Sequence, residues 1–480
     1  MTILAIDQGT TSTKGFLLHP DGRFESVGAR RHQQLHPGDG LVEHDADELA
    51  QDIEDLIDEA LRQCGSIVGI GIANQGETVV AWDRVSKRPV HNAIVWQDQR
   101  TQGDLERWSE DVKQRIKELS GLPLDAYFSA SKLAWLLTHV PAVAEAAEAG
   151  RLGLGTSDAF FLDRLTGRPA TDVTTASRTS LLNLSTLAWD DELCRLFQVP
   201  RQLLPPPRAT TGAFGSVSRA GREIPVLASV VDQQAALFGH GCRAMGDMKV
   251  TFGTGSFALA VTGTEPRRSE RGLEPTVAWQ FEGQPAVYAL SGGDYTASAA
   301  VDWAMRLGLA SGLEDFDLPE GRSALQRGIV FVPALAGLAA PHWDRFAAGA
   351  FLGLRQDTTS EDVRRAVLEG VALRAAELVD AFEIGSAVKV LSVDGGLSKN
   401  RAFVQFLADV TGVPVALRDH ADLTALGAAE LGYVGLGLPL PPRPASNTVI
   451  EPSPASAAIR AERHRFAEAI AAVRGWGRAP

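Results

Sequence analysis

The run ILAIDQGTTSTKG, Ile3–Gly15, decides how the chain folds at its start. Ile3–Ile6 is a short apolar run, Asp7–Lys14 is polar and turn-rich, and Gly15–Leu18 resumes an apolar pattern. Strand, turn, strand is the expected structure. The passage from strand into glycine recurs in VTFGTGSF (Val250–Phe257) and in VLSVDGGLSKN (Val390–Asn400). Between the first two lies an aspartate-led turn, VDQQAALFG (Val231–Gly239). Glycine lets a backbone approach an anion, successive N–H groups can point inward, and the hydroxyls of Thr10, Thr11 and Ser12 add donors. One such loop is ordinarily a plain turn. Loops from two halves, with Asp232 facing the last phosphate of a nucleotide held between them, describe a phosphotransferase. No Gly-Lys-Ser/Thr stands at P-loop spacing, and the dinucleotide glycine pattern is missing after the first strand.

Composition narrows the class. The chain has 480 residues, 45% hydrophobic and 22% charged, enough for two or three domains with substantial cores. A net charge of −13 without a dense Lys/Arg cluster gives no footprint for nucleic acid. Cys64, Cys194 and Cys242 are far apart and lack metal-ligand spacing, which fits a reducing compartment. No signal-like N-terminus and no apolar run of ~18 residues is present, so a cytoplasmic protein without a membrane span is expected.

Strands and helices alternate in both halves, as in α/β architecture. Ala46–Arg62 carries a helical stripe (Leu49, Ile53, Leu56, Ile57, Ala60, Leu61) behind the candidate caps Asp45 and Asp47. Val68–Ala73, Thr78–Trp82, Lys249–Thr262, Ala286–Leu290 and Ile329–Val332 are strand-like, whereas Ser360–Phe382, Arg401–Thr411 and Ala455–Val473 are helical. Each half opens with a strand and a Gly/Thr loop, which hints at a distant duplication. The domains are drawn as 1–240 and 241–480.

Nine segments, in order, resemble the FGGY carbohydrate kinases: AIDQGTTST (Ala5–Thr13), GIANQGETVVAWD (Gly71–Asp83), AIVWQDQRT (Ala93–Thr101), AYFSASKLAWLL (Ala126–Leu137), TDVTTASRTSLLNL (Thr171–Leu184), VDQQAALFG, GTGSF (Gly253–Phe257), GLAAPHWD (Gly337–Asp344) and VDGGLSKN. The pattern is nearest the glycerol kinase branch. The resemblance implies two actin/hexokinase-like (ribonuclease H-like) α/β domains, each on a mixed five-stranded sheet, flanking a central nucleotide cleft. It also implies ATP as phosphoryl donor with Mg²⁺.

The same resemblance distributes roles. Asp232 matches the catalytic base, and a carboxylate beside the acceptor hydroxyl suits that chemistry; alone, an aspartate before two glutamines would be a helix cap. Asp7 matches the Mg²⁺ carboxylate. Thr10, Thr11, Ser12, Lys14, Thr254 and Gly255 match the phosphate binders, and Gly395, Gly396 and Asn400 the adenosine site. Glu77, Trp96, Tyr127, Gln233 and Phe257 match residues around the acceptor, although Trp96 and Phe257 alone would read as core.

Departures from the pattern bear on the substrate. Glycerol kinases read Asn-Gln-Arg-Glu-Thr where this chain has Gly76. Loss of that guanidinium predicts a larger, more neutral pocket and an acceptor of four or five carbons, a polyol or a ketose, unless another arginine fills the gap; glycerol is the alternative. Ser298 and Asp302 replace a glycine and a glutamine near the adenosine site. The Gly-Gly-Lys-Gly-Gly regulatory loop is replaced by SRAGRE (Ser218–Glu223), so control by fructose 1,6-bisphosphate is not expected. A filament-forming or chaperone-like ATPase would use the same cleft but lack the Glu77, Trp96–Asp98 and Tyr127 cluster. The expected partners are a small polyol or ketose and, as an assembly, a homodimer.

Overall fold

The computed structural model describes residues 1–219, 221–317, 321–382, 388–418, 422–443 and 447–476. Ala220, within the Ser218–Glu223 loop, lies outside them.

The opening run forms β1 (Thr2–Gln8), buried throughout, then turns into β2 (Ser12–Leu18) and β3 (Phe24–Arg31). β2 begins earlier than its apolar pattern because the β1–β2 ladder already pairs Gln8 with Thr13, whose side chain is buried. Helix α1 (Ala46–Gln63) starts where expected, with Asp45 accepting from the N–H groups of Asp47 and Glu48. Its apolar stripe shares one core with β1 and β2. The sheet is completed by β4 (Ile67–Asn74) and β5 (Arg222–Val231), and helix α2 (Asp232–Gly239) follows directly.

The second half begins with β6 (Met248–Phe252), β7 (Ser256–Gly263) and β8 (Ala286–Asp294). The run Lys249–Thr262 is therefore two strands bent around Gly253–Gly255. Helices α3 (Ser298–Arg306) and α4 (Ser360–Ala381) precede β9 (Leu391–Gly395), α5 (Arg401–Thr411), β10 (Val415–Arg418) and α6 (Leu423–Gly435). The expected terminal helix is two, Ser456–Ala461 and His464–Trp476.

The two sheets share one plan. In the first the order is β5-β4-β1-β2-β3, in the second β10-β9-β6-β7-β8. β1 and β6 each pair antiparallel with the next strand and parallel with a strand from far along the chain. The hint of duplication in the two Gly/Thr loops has this topological counterpart. Beyond the five strands implied by the resemblance, Ser216–Arg219 extends the first sheet, and Glu274–Gln280 and Asn447–Ile450 extend the second.

One helix of the second half covers the first sheet. α6 is almost entirely buried and packs on β1, β4, β5 and α2 within a core that also takes in Leu259 and Val261 of β7. Glycines permit the approach: a Cβ at Gly427 would stand 1.9 Å from the Ala235 carbonyl oxygen, one at Gly239 1.9 Å from that of Leu423, and one at Gly71 2.2 Å from that of Ala428. Gly427→Ala should therefore destabilise the protein by about 1–3 kcal/mol in urea unfolding, as overpacking against backbone does. Gly65→Ala, whose Cβ meets nothing within 4 Å, should stay within about 0.5 kcal/mol of wild type. Equal stability of the two variants would contradict the close crossing.

Candidate active site

Eight residues picked out from the sequence, Thr10, Gly76, Glu77, Trp96, Tyr127, Asp232, Gln233 and Phe257, line one cavity of about 180 Å³. Gly76 and Glu77 stand just beyond the end of β4, Asp232 and Gln233 open α2, and Phe257 comes from β7. Trp96 donates Nε1–H to Thr10 Oγ1 at 3.1 Å, which ties this side of the cavity to the first Gly/Thr loop. The Tyr127 ring meets Trp96 edge-on at 5.6 Å, and the buried Lys132 ammonium holds the Tyr127 carbonyl at 2.6 Å. Burial, and then the charge of Glu77, raises the Tyr127 hydroxyl well above its ordinary pKa, so it stays a neutral donor.

Asp232 is the first residue of α2, and its side chain does not cap it. Its carboxylate accepts from the Gln233 N–H at 2.6 Å. Burial, followed by the charge of Glu77, pushes this carboxyl up to about 7, while the Gln233 N–H, Lys249 and Arg178 pull the other way. A carboxyl near neutrality suits proton abstraction. Gln233 Oε1 accepts from the buried Lys249 ammonium at 2.5 Å, and Lys249 also reaches Thr251 Oγ1 at 3.0 Å.

Arg178 was not singled out in the sequence, and it reshapes the pocket. Its side chain is only 7% exposed; Nε donates to Glu77 Oε1 at 2.7 Å and Nη2 to Glu274 Oε2 at 3.1 Å. Nη1 is buried without a protein partner. The space beside Gly76 is also taken: a Cβ there would meet Val231 Cγ1 at 3.1 Å, Val231 Cγ2 at 3.2 Å and Arg178 Cγ at 3.6 Å. A side chain at position 76 would thus start against Val231, and the Arg178 guanidinium, paired with Glu77 and Glu274, stands in the same cavity.

The phosphate-loop candidates fall into two groups. Thr10, Thr11 and Ser12 form the β1–β2 turn, closed by Gly9 N–H to the Ser12 carbonyl at 3.0 Å. Beneath it His32 Nε2 donates to the Gly9 and Thr10 carbonyls, both at 3.1 Å. Asp7 is the last residue but one of β1, next to this turn, and Lys14 pairs with Asp422 at 2.8 Å. In the second half the carbonyls of Gly253 and Thr254 accept from Ser298 and Ala297 at the start of α3, and a Cβ at Gly255 would stand 2.4 Å from the Asp294 carbonyl oxygen.

At the diglycine the two residues differ. Gly395 has φ +93°, and a Cβ there would meet the Phe252 carbonyl oxygen at 2.2 Å, so it is required by the fold. Gly396 borders open space, its nearest neighbour being Ser298 Oγ at 3.7 Å from where a Cβ would sit. Asn400 caps α5: Oδ1 accepts from Phe403 N–H at 2.8 Å and Nδ2 donates to the Phe316 carbonyl at 2.9 Å. Its side chain holds the loop that leads from the diglycine into α5.

Arg178, Lys249, His32 and Asp422 were missed for one reason, that each acts on residues distant in sequence. The available signals were a guanidinium in the small-residue run TTASRTS and a lysine inside the apolar strand MKVTF. Among the described residues no helix is long and apolar enough to cross a membrane.

Models of the FGGY family of carbohydrate kinases match both halves, the N-terminal domain over residues 2–239 and the C-terminal domain over 248–436. The glycerol kinase of Thermus brockianus is 43% identical over 446 residues, covering 91% of this chain and 90% of that protein. The glycerol kinase of Citrifermentans bemidjiense is 41% identical over 448 residues, with the same coverage of both. In structure, Plasmodium falciparum glycerol kinase with ADP aligns at a TM-score of 0.90 and 30% identity over 98% of each chain. Domain models spanning both halves, together with relatives that match along nine-tenths of the sequence, show that the chain belongs to the FGGY family of carbohydrate kinases, phosphotransferases that act on alcohol groups.

Proposed function

We propose that this enzyme transfers the γ-phosphoryl group of ATP to a primary hydroxyl of glycerol or a polyol of similar length. The observation that carries the reading is the acceptor cavity: about 180 Å³, filled at Gly76 by Val231, with an unpartnered Arg178 N–H in its wall. That volume is well below the roughly 300–1,000 Å³ of a drug-sized ligand site. The four- or five-carbon acceptor expected from Gly76 rested on a vacancy that Val231 occupies and on a missing guanidinium that Arg178 supplies. The glycerol kinase relatives support the same ranking.

In this reading Glu77 accepts from, and Arg178 donates to, the acceptor's hydroxyls, while Trp96 and Phe257 pack on its carbon side and Tyr127 closes it. Asp232 takes the proton of the attacking hydroxyl as the new O–P bond forms and the bond from the γ-phosphorus to the bridging oxygen breaks. Lys249 keeps Gln233 in place. Thr10, Thr11, Ser12, Thr254 and Gly255 offer N–H and hydroxyl donors to phosphate oxygens, with Gly396 and Ser298 beside the nucleoside. Asp7 is a buried, hard oxygen donor and fits Mg²⁺, which when bound neutralises phosphate charge.

A coupled ADP-release assay over glycerol, erythritol, ribitol, xylitol and xylulose tests the acceptor. Glycerol should have the highest kcat/KM, by about tenfold or more over the five-carbon compounds; a pentitol or ketose used best would overturn the proposal.

Because Asp232 works as an anion, kcat/KM should rise with pH and level off above about 7. Asp232→Asn should lose that limb and some ~10²–10⁴-fold of turnover. Turnover within a few-fold of wild type would remove Asp232 from the reaction.

Gly76→Arg should not improve glycerol use, since its stem meets Val231. The single variant should fall about tenfold or more in kcat/KM for glycerol, and Gly76→Arg with Val231→Ala should recover most of the loss. Additive losses would show that Val231 does not control that space.

A further inference from the structure

An ion pair links the first phosphate loop to a helix 408 residues away: Lys14 Nζ donates to Asp422 Oδ2 at 2.8 Å. The same ammonium lies 3.6 Å from Asp7 Oδ2, too far for a hydrogen bond. Asp422 does two jobs, since its Oδ1 accepts from the Ala425 N–H at 2.9 Å and caps α6. Asp7 is different. Its side chain is nine-tenths buried, and among the described residues its one charged partner within 4 Å is this lysine, opposite it on β2. Buried carboxylates crowded around a single ammonium are short of positive charge, and hard oxygen donors that complement phosphate oxygens and water are what Mg²⁺ selects.

We propose that Asp422 is the second carboxylate of the cation site that Asp7 begins, and that Lys14 is an internal counter-cation standing between them until metal-bound nucleotide arrives. The inference deepens the Mg·ATP reading above and rests on it. Lys14 and the metal compete for the same two carboxylates; once displaced, the ammonium is free to turn to phosphate oxygens, the role its sequence position implied. The cap made by Oδ1 keeps Asp422 fixed whichever cation its other oxygen faces.

Asp422→Asn separates the two jobs, because the amide oxygen can still cap α6 while the charge is lost; Asp422→Ser, also a capping residue, serves if the amide variant folds poorly. ADP binding is measured by calorimetry with Mg²⁺ and with EDTA, and thermal melting of the ligand-free protein checks the fold. Wild type should bind ADP more tightly with Mg²⁺. The Asp422 variants should lose about tenfold or more of affinity in Mg²⁺ but keep or improve it in EDTA, where a repelling carboxylate has been removed. Lys14→Met should do the reverse, weakening ADP in EDTA and retaining or enlarging the gain from Mg²⁺. An undiminished Mg²⁺ gain in folded Asp422 variants overturns the assignment of Asp422 alone; wild-type ADP binding indifferent to Mg²⁺ overturns the cation site itself.

Discussion

Backbone-to-backbone contact between α2 and α6 is the constraint on which the rest of the molecule depends. Gly239 and Gly427 bring each helix against the other's carbonyls, and Gly71 seats α6 on β4. Any side chain at these points would lift α6 off the sheet. The consequence reaches the chemistry, because α2 starts with Asp232 and Gln233 and α6 is capped by Asp422. A close crossing thus fixes where three polar side chains stand, with rigid helices rather than mobile loops as their supports.

The wall of the cavity is built on a different principle. Glu77, Arg178 and Glu274 form a buried charged cluster, and such clusters contribute little net stability because desolvation offsets attraction. What the cluster provides is orientation. Held by two carboxylates, the guanidinium cannot swing, so its remaining N–H is fixed in advance and would need little ordering to meet a ligand. Lys249 acts on Gln233 in the same way. The pocket is therefore polar at fixed points and apolar between them.

Local patterns made much of this legible in the sequence. The β1–β2 hairpin, α1 with its Asp45 cap, α5 and the paired Gly/Thr loops follow from periodicity and turn chemistry within short windows. The residues that line the cavity were legible as a group because they lie in long segments resembling one family. What stayed hidden depends on neighbours distant in sequence. Gly76 looked like a vacancy because nothing in the chain says that Val231 stands beside it. Arg178 meets Glu77 across about a hundred residues of chain. Asn400 also caps α5, a local role that the family resemblance did not bring out. The apolar run at 455–473 concealed a break between two helices, since both share one buried face.

Where the acceptor sits relative to Asp232 and Arg178 decides whether these two side chains do the chemistry proposed for them. A crystal structure with glycerol and a non-hydrolysable ATP analogue measures this directly. A primary hydroxyl should lie about 2.6–3.2 Å from the Asp232 carboxylate, with another hydroxyl accepting from Arg178 Nη1. Glycerol bound away from Asp232, or Arg178 Nη1 left without a partner in the complex, would contradict that chemistry.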